Sequence, residues 1–301
     1  MKFVTFRESG SARAGVLVGD AASGGETVVD LADPALRGSL LGVQPQVLAL
    51  VEAGLSDVVG AIAARGLNGA AHFPLHAVEL LAPMPRPRRI YGVAHNYNDA
   101  LAERGMAPPA EPILFMKLGE TVIGPGETIV LPQGIGGVTY EAELAAVVGR
   151  RASCISESEA LDYVTAYGAF NDVSASDLIK RDGGFHRGKN LPTFGPFGPY
   201  ILSSDEIADP QALRVQLSVD GKVLQDGSTR DMRFGVAALI SYLSRREPLE
   251  PGDVIATGTP AGVAAMHKPP AWLKPGTSVT ASVEGLGCLT NPVSEGPAEN
   301  V

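Results

Sequence analysis

The sequence predicts a β-rich α+β protein in which a small N-terminal α/β unit, residues 1–80, precedes a larger unit, residues 81–293. Two observations indicate the β-rich character. The chain of 301 residues holds 36 glycines and 23 prolines, a content that implies many turns and long loops. Short apolar segments also alternate with polar residues at the period of a strand, as in the segment from Leu213 to Val219.

Composition and charge narrow the class of protein. The net charge is −9, so the chain lacks the basic surface that nucleic acid requires, and we expect no nucleic-acid partner. No apolar run reaches the length of about 18 residues that a membrane span needs. The N-terminus lacks the apolar region of a signal peptide. Two cysteines, Cys154 and Cys288, are too few for a disulfide framework, which suits a reducing compartment. We therefore expect a cytoplasmic protein that does not enter the membrane.

The N-terminal unit has a clear secondary-structure pattern and no visible chemistry. Short β-like segments cover residues 3–6, 15–18 and 27–31, and apolar residues recur at helical spacing over residues 45–65. We interpret this unit as a packing module. The proline-rich and arginine-rich segment Pro83–Arg89 is the predicted linker.

The larger unit is predicted to mix strands with short helices. Ser156 and Glu159 form a capping-box pattern, which predicts a helix that continues to about residue 170. The tail, residues 294–301, is rich in glycine, proline and glutamate and is predicted to be flexible. The other predicted helices cover residues 96–105 and 234–246, and the predicted strands cover residues 90–93, 114–117, 128–131, 213–219, 254–256 and 279–283.

Two glutamates interrupt a segment, residues 139–149, that otherwise reads as a buried strand. Glu141 and Glu143 are two residues apart, so both side chains leave the same face of a strand. Two carboxylates on a semi-buried face repel each other unless a positive group lies between them. A hard divalent cation is the natural partner because it prefers oxygen ligands. The alternative is that the two glutamates have no cation between them and lie on a solvent-exposed edge of a sheet.

Three further stretches contain polar or charged residues that are candidates for a functional site. Asp172 lies at an element boundary, where functional side chains often occur. The loop Arg181–Asn190 superficially has the spacing of a phosphate-binding P-loop, but Asn190 replaces the Ser or Thr of that motif and no apolar strand precedes it. We therefore reject a nucleotide site there. The stretch Thr257–Gly262 is suited to present backbone N–H groups and hydroxyls to an anion.

Taken together and in their order along residues 90–293, several motifs resemble the fumarylacetoacetate hydrolase (FAH) superfamily. The opening unit also resembles the N-terminal domain of its prokaryotic members. The matching stretches are Tyr140–Leu144, Asn171–Ser174, Leu249–Ile255, Thr257–Val263, Lys274–Gly276 and Glu284–Gly287.

The resemblance implies a mixed β-roll core in a homodimer, with one active site per subunit. It implies that Glu141, Glu143 and Asp172 bind Mg²⁺ or Mn²⁺, and Ca²⁺ accepts the same oxygen ligands. It further implies a small 2-oxo acid or β-diketo acid as substrate. By resemblance, Lys189 is a catalytic residue that holds the substrate oxyanion or carboxylate. Lys117, Thr259 and Gln225 correspond to substrate-pocket positions of the family.

The chain departs from the family pattern at two places. Hydrolases of this family carry a His three residues before a Glu, and here Ala100 stands in the His position while Glu103 is retained. Glu103 is then the candidate general base acting alone, and His95 or His186 are alternative replacements for the missing His. Ser176 and Ile179 also replace a family arginine and a frequent family glutamine, so Arg181 or Arg187 become candidates to bind a differently placed anion.

The resemblance, together with the retained residues, implies a metal-dependent hydrolase that cleaves a C–C bond of an acylpyruvate or another β-diketo acid. The metal and Lys189 would stabilise the leaving enolate. The alternative is a non-hydrolytic family enzyme, namely a 2-oxo acid decarboxylase, a keto–enol isomerase, or a dehydratase or hydratase of aromatic or sugar-acid catabolism. Ala100 favours that alternative. A third hypothesis, a non-catalytic metal-stabilised binding protein, is disfavoured by the complete ligand set and Lys189.

Overall fold

The computed structural model describes residues 1–19, 25–36, 40 and 42–298, and it confirms a mixed α+β fold that is rich in strands. The helices of this part are α1 (Val47–Arg65), α2 (Asn98–Glu103), α3 (Ser176–Asp182), α4 (His186–Lys189) and α5 (Val236–Ser244). The strands are β1 (Lys2–Arg7), β2 (Arg13–Val18), β3 (Thr27–Asp30), β4 (His72–Pro74), β5 (Glu79–Leu81), β6 (Ile90–Ala94), β7 (Ile113–Lys117), β8 (Val122–Ile123), β9 (Ile129–Gln133), β10 (Val138–Thr139), β11 (Ala142–Val148), β12 (Val164–Asn171), β13 (Ser174–Ala175), β14 (Gly195–Ser203), β15 (Arg214–Val219), β16 (Lys222–Ser228), β17 (Val254–Ala256), β18 (Ser278–Val283) and β19 (Cys288–Ala298).

Two sheets form the body of the molecule. The larger sheet has the strand order β4-β3-β2-β1-β14-β12-β11-β17-β6-β7, with β5 attached to β1 and β8 attached to β14. The smaller sheet has the order β16-β15-β18-β19-β9. Strand β18 contacts β11 and β12, and β19 contacts β14, so the smaller sheet packs against the centre of the larger one. Apolar side chains from both sheets, such as Leu144 and Val279, share one buried core.

The central strands are apolar because they are covered on both faces. Every residue of β11 and of β12 is buried, including Glu143. Strand β11 pairs antiparallel with β12, with Glu143 opposite Phe170, and it pairs antiparallel with β17 on its other side. A carboxylate in such a strand is costly to ionise unless it meets a positive group, so this place in the fold marks a functional position.

The N-terminal residues extend the larger sheet. Strand β1 pairs antiparallel with β14, with Lys2 opposite Leu202, and α1 packs on β1, β12 and β14. The predicted boundary near residue 80 stays a prediction, but it does not separate two sheets. Helix α1 has the length and apolar composition of a membrane span, yet one of its faces packs into a core shared with β14. The buried side chains of that face are Val47, Leu50, Val51, Leu55, Val58 and Ile62.

Two predictions from the sequence are wrong. The helix predicted from Ser156 to about residue 170 is a short 3₁₀ turn, Ala160–Tyr163, followed by the strand β12. Ser156 and Glu159 hydrogen-bond to each other through their side chains, and the β-branched and aromatic residues that follow favour a strand. The tail predicted to be flexible from residue 294 instead continues β19 to Ala298, where it pairs parallel with β9. Residues 299–301 lie outside the described part.

Candidate metal centre and adjoining cavity

A cluster of three carboxylates forms where β11, β12 and the loop after β17 meet. One carboxylate oxygen each from Glu141, Glu143 and Asp172 lies within 4.8 Å of the others. Glu143 and Asp172 are buried, and Glu141 is half-buried. The two glutamates that the sequence singled out therefore do share one site, and Asp172 joins them from the end of the neighbouring strand.

Backbone hydrogen bonds fix the three carboxylates in place. The backbone N–H of Asp172 donates to the carbonyl of Glu141 at 2.9 Å, and the backbone N–H of Glu141 donates to Asn171 Oδ1 at 3.0 Å. The backbone N–H of Gly258 donates to Glu143 Oε2 at 3.0 Å. The ligand positions thus belong to rigid strand ends and one turn, and not to mobile side chains on a surface.

Two buried lysines face the carboxylates. Lys189 Nζ donates to Glu141 Oε2 at 2.8 Å and to Asp172 Oδ2 at 2.5 Å. Lys117 Nζ lies 2.8 Å from Asp172 Oδ1 and donates to the Lys189 carbonyl at 2.5 Å. Lys189 reaches the cluster from α4, and Lys117 reaches it from the end of β7. Both lysines that the resemblance singled out are therefore part of this cluster.

Burial and the neighbouring charges shift the pKa values of these groups in opposite directions. Burial is the largest influence on Glu143 and raises its pKa well above the ordinary value, and the charges of Asp172 and Glu141 add to that rise. Burial also raises the pKa of Glu141, although Lys189 opposes it. Burial alone would raise the pKa of Asp172, but the charges of Lys117 and Lys189 outweigh it and lower that pKa.

The lysines respond differently to the same surroundings. Burial acts to lower the pKa of Lys189, but the charges of Asp172, Glu141 and Glu143 outweigh burial and raise that pKa above the ordinary value. Burial is also the largest influence on Lys117 and lowers its pKa, although Asp172 acts in the opposite direction. Lys189 is therefore a permanent cation in this cluster at neutral pH.

The carboxylate cluster fits a divalent cation. Asp172 Oδ1 is buried and has one partner among the described residues, Lys117 Nζ at 2.8 Å, so a carboxylate oxygen with more than one lone pair can still accept a cation. Three carboxylates within reach of one point are the hard oxygen donors that Mg²⁺, Mn²⁺ and Ca²⁺ prefer. An added cation would also relieve the repulsion that raises the pKa of Glu143.

A cavity of about 200 Å³ opens beside the cluster. Its size suits a small metabolite, because cavities for drug-sized ligands run from roughly 300 to 1,000 Å³. Three residues predicted from the sequence to act at the site line it, namely Glu141, Lys189 and Thr259, and so does His95. The full lining is Val93, Ala94, His95, Ala100, Arg104, Thr139, Glu141, Ser174, Ser176, Ile179, Phe185, Lys189 and Thr259.

Gln225 and Glu103 lie outside the lining of this cavity. Gln225 is buried, and its amide accepts from the Ala142 N–H at 3.0 Å and donates to Thr259 Oγ1 at 2.9 Å. It therefore supports Thr259 from behind. Glu103 is exposed, and its carboxylate accepts from the Gly262 N–H at 3.1 Å.

Within the loop Arg181–Asn190, Phe185 and Lys189 line the cavity, but Arg181, His186 and Arg187 do not. Arg181 is half exposed and lies near Asp182, which itself binds Arg187. His186 is exposed on α4. None of these three cationic or titratable side chains belongs to the lining described above. Arg104 lines the cavity together with Lys189, and we did not single it out from the sequence. The available signal was its helical spacing, since Arg104 lies four residues after Ala100 and therefore on the same face of a helix.

Comparison with known proteins agrees with the fold and with the carboxylate cluster. The family model described as fumarylacetoacetate (FAA) hydrolase C-terminal matches residues 89–294. A Burkholderia ambifaria protein named "Putative hydrolase" is 44% identical over 204 residues, which are 67% of this chain and 72% of that protein. The structure of a fumarylacetoacetate hydrolase from Exiguobacterium antarcticum is similar with a TM-score of 0.83 and 35% identity, over 98% of this chain and 100% of that one.

Two further structures show the range of chemistry on this fold. Maleylpyruvate hydrolase from Sphingobium sp. SYK-6, in complex with manganese(II) and pyruvate, is similar with a TM-score of 0.79 and 28% identity, over 98% of this chain and 100% of that one. A 2-hydroxyhepta-2,4-diene-1,7-dioate isomerase from Mycobacterium marinum is similar with a TM-score of 0.77 and 30% identity, over 98% of each chain. The manganese of the first and the acidic triad of this chain together indicate a divalent-metal site. The chain belongs to the fumarylacetoacetate hydrolase family.

Proposed function

We propose that the protein is a divalent-metal-dependent hydrolase that cleaves a C–C bond of a β-diketo acid such as an acylpyruvate. The observation that carries this proposal is the buried triad of Glu141, Glu143 and Asp172, bridged by Lys189 at the wall of a small cavity. A buried carboxylate cluster of this kind is costly to keep in a protein that has no use for a cation. A hydrolase and an isomerase among the similar structures support an enzyme that acts on small molecules.

Glu141, Glu143 and Asp172 would hold the metal, with Mg²⁺ as the first expectation and Mn²⁺ or Ca²⁺ as the alternatives. When bound, the metal would supply Lewis-acid stabilisation of negative charge on the two neighbouring oxygens of a 2-oxo acid. Lys189 is charged and lines the cavity, so its ammonium group would stabilise the enolate oxygen of the leaving group. The proposal also includes a homodimer and a cytoplasmic location, and the free state of Cys154 and Cys288 agrees with the latter.

Hydrolysis needs a base for the attacking water, and Glu103 is the proposed base. The water oxygen would bond to the distal carbonyl carbon while a proton passes to Glu103. The bond from that carbon to the methylene carbon would then break, and its electron pair would form the pyruvate enolate. Protonation of the enolate gives pyruvate, and the acyl group leaves as a carboxylic acid. Glu103 lies beside the loop of Thr259, since it accepts from the Gly262 N–H.

A specific observation favours a second candidate. Ala100 lines the cavity and has no proton-accepting group, and the carboxylate of Glu103 lies outside the lining. An enzyme that forms the enolate without an attacking water would need neither a histidine at position 100 nor Glu103 as a base for that water. Decarboxylation, keto–enol isomerisation and dehydration of a 2-oxo acid are reactions of this kind.

An NMR assay in H₂¹⁸O with acetylpyruvate and oxaloacetate separates the two candidates. We expect acetate and pyruvate from acetylpyruvate in Mg²⁺ but not in EDTA, with one solvent oxygen in the acetate. Glu103→Gln is the matched variant, and it should lower this rate by about 10²-fold or more. Enzyme-dependent pyruvate from oxaloacetate alone, above the rate without enzyme, would favour the non-hydrolytic candidate. Cleavage of acetylpyruvate at the same rate in EDTA would refute the metal dependence.

A further inference from the structure

Arg104 and His95 form a pair on the wall of the cavity, and neither has a role in the proposed reaction so far. We propose that Arg104 binds a second, distal carboxylate of the substrate and that His95 is the positioning residue that holds Arg104 in place. This inference rests on the proposed function, and it narrows the substrate to a short 2-oxo dicarboxylate.

Arg104 has no anionic partner within the described part of the chain. It is half-buried and lines the same cavity as Glu141 and Lys189. Its Nη1 donates to His95 Nδ1 at 2.9 Å. Its charge opposes the rise in the pKa of Glu141, but among the described residues no carboxylate forms an ion pair with it. Other half-buried arginines do have such partners, since Arg13 pairs with Asp30 and Arg89 pairs with Asp253. A guanidinium that is partly removed from water and faces a cavity is available to bind an anion.

His95 orients Arg104 without neutralising it. A guanidinium only donates hydrogen bonds, so His95 Nδ1 must be the acceptor and the ring proton must lie on Nε2. Burial lowers the pKa of His95, and the charges of Arg104 and Lys189 lower it further. The imidazole is therefore neutral at pH 7. A carboxylate in the same place would hold Arg104 equally well but would cancel the charge that an incoming anion needs.

The backbone at His95 is built to present this imidazole. His95 has a φ of 57°, a left-handed conformation that is unfavourable for a residue other than glycine. The next residue holds it there, because the Asn96 amide donates to the carbonyls of Thr257 at 2.8 Å and Phe234 at 3.0 Å. Strain that is maintained by its neighbours in this way is typical of functional positions.

The charged side chains that line the cavity leave Arg104 available for a second anion. Lys189 already pairs with Glu141 and Asp172, whereas Arg104 forms no ion pair with a described carboxylate. A divalent cation held by the triad would add positive charge beside Lys189. One carboxylate of the substrate would lie at the metal, and the second would lie at Arg104. The cavity of about 200 Å³ limits the carbon chain between them.

Binding of two matched ligands tests the role of Arg104. The probes are 2-oxoglutarate and 5-methyl-2-oxohexanoate, in which an isopropyl group replaces the distal carboxylate, and each is titrated calorimetrically into the Mg²⁺-loaded protein. We expect the wild type to prefer 2-oxoglutarate by about 10- to 100-fold. Arg104→Gln should reduce that preference to about threefold or less and leave the affinity for the branched analogue unchanged. Arg104→Lys is the control that keeps the charge, and it should retain part of the preference.

A second pair of variants tests the positioning role of His95. Asparagine and glycine both tolerate a left-handed backbone, but only asparagine offers an oxygen acceptor near the position of Nδ1. We expect His95→Asn to keep most of the preference for 2-oxoglutarate and His95→Gly to lose it. Equal preferences in the two variants would show that His95 does not position Arg104.

The inference is overturned if the wild type shows no preference for 2-oxoglutarate, or if Arg104→Gln lowers the affinity for both ligands by the same factor. These are binding measurements, so they do not depend on which reaction the enzyme catalyses. A protein that binds 2-oxoglutarate through Arg104 but cleaves neither acetylpyruvate nor its dicarboxylate counterpart 2,4-dioxoheptanedioate would contradict the proposed hydrolysis alone. Cleavage of acetylpyruvate by a protein with no such preference would contradict the role of Arg104 alone.

Discussion

At the scale of single residues, Lys189 holds the site together in the absence of metal. It donates to two carboxylates at once and is buried with them. The sequence placed Lys189 at the site only by its resemblance to the family, because a lysine in a polar loop gives no sign of burial. Arg104 was missed because its spacing from Ala100 places it on the same face of a helix but does not show that this face lines a cavity.

Lys189→Met should make stability depend strongly on metal. Without Lys189, Lys117 is the one cation among the described residues that still forms an ion pair with the cluster, so the metal-free protein should lose about 3–5 kcal/mol of unfolding free energy. Mg²⁺ should restore part of that loss. Thermal unfolding in EDTA and in Mg²⁺ checks this prediction. An equal Mg²⁺-induced rise in Tm for Lys189→Met and the wild type would contradict it.

His95 should make stability depend on pH. Its unfolded pKa is about 6.5, and burial lowers its pKa in the folded protein. The unfolded state therefore takes up the proton first as the pH falls, and stability from the neutral imidazole is lost below about pH 6.5. Urea unfolding at pH 7.5 and pH 5.5 should show a larger loss for the wild type than for His95→Asn. Identical losses in the two proteins would contradict this assignment.

At the scale of elements, hydrophobic periodicity predicted several strands and helices correctly, whereas the local signals at Ser156 and in the tail gave wrong predictions. The alternation in β15 and the helical spacing in α1 and α5 each gave the correct element. The capping-box pattern at Ser156 led to a wrong helix prediction. Strand β12 is buried on both faces, so its sequence lacks the apolar–polar alternation that would have indicated a strand. The prediction for the tail was wrong for a related reason. Its pairing with β9 is a long-range contact, and the sequence of the tail itself carries no pattern that indicates it.

The turn after β17 should be intolerant of a side chain at Gly258. This residue has a φ of 92°, and an added Cβ would lie 2.9 Å from both the Val93 carbonyl and Asn96 Cβ. Gly258→Ala should therefore cost about 1–3 kcal/mol of unfolding free energy and weaken metal binding, because its N–H holds Glu143. Gly105→Ala is the matched control, since Gly105 has a φ of 64° and an added Cβ would meet nothing within 4 Å. Equal costs in chemical denaturation would contradict the steric argument.

At the scale of the whole molecule, the site depends on long-range pairing that no local pattern reveals. Glu141 and Glu143 were predicted to share a face from their spacing alone, but the approach of Asp172 follows from the antiparallel register of β11 and β12. Lys117 and Gly258 arrive from β7 and from the turn after β17, which are distant in sequence. The resemblance to a family supplied this arrangement, whereas composition and periodicity supplied only its parts.

Direct titration of Mn²⁺ into the metal-free protein tests the central claim, which is that the triad of Glu141, Glu143 and Asp172 is a divalent-metal site. We predict one saturable Mn²⁺ per chain by calorimetry, with binding weakened at least tenfold in Glu143→Gln. The exposed Glu157→Gln is the control and should bind Mn²⁺ as the wild type does. Absence of saturable Mn²⁺ binding to the wild type, or unchanged affinity in Glu143→Gln, would contradict the account.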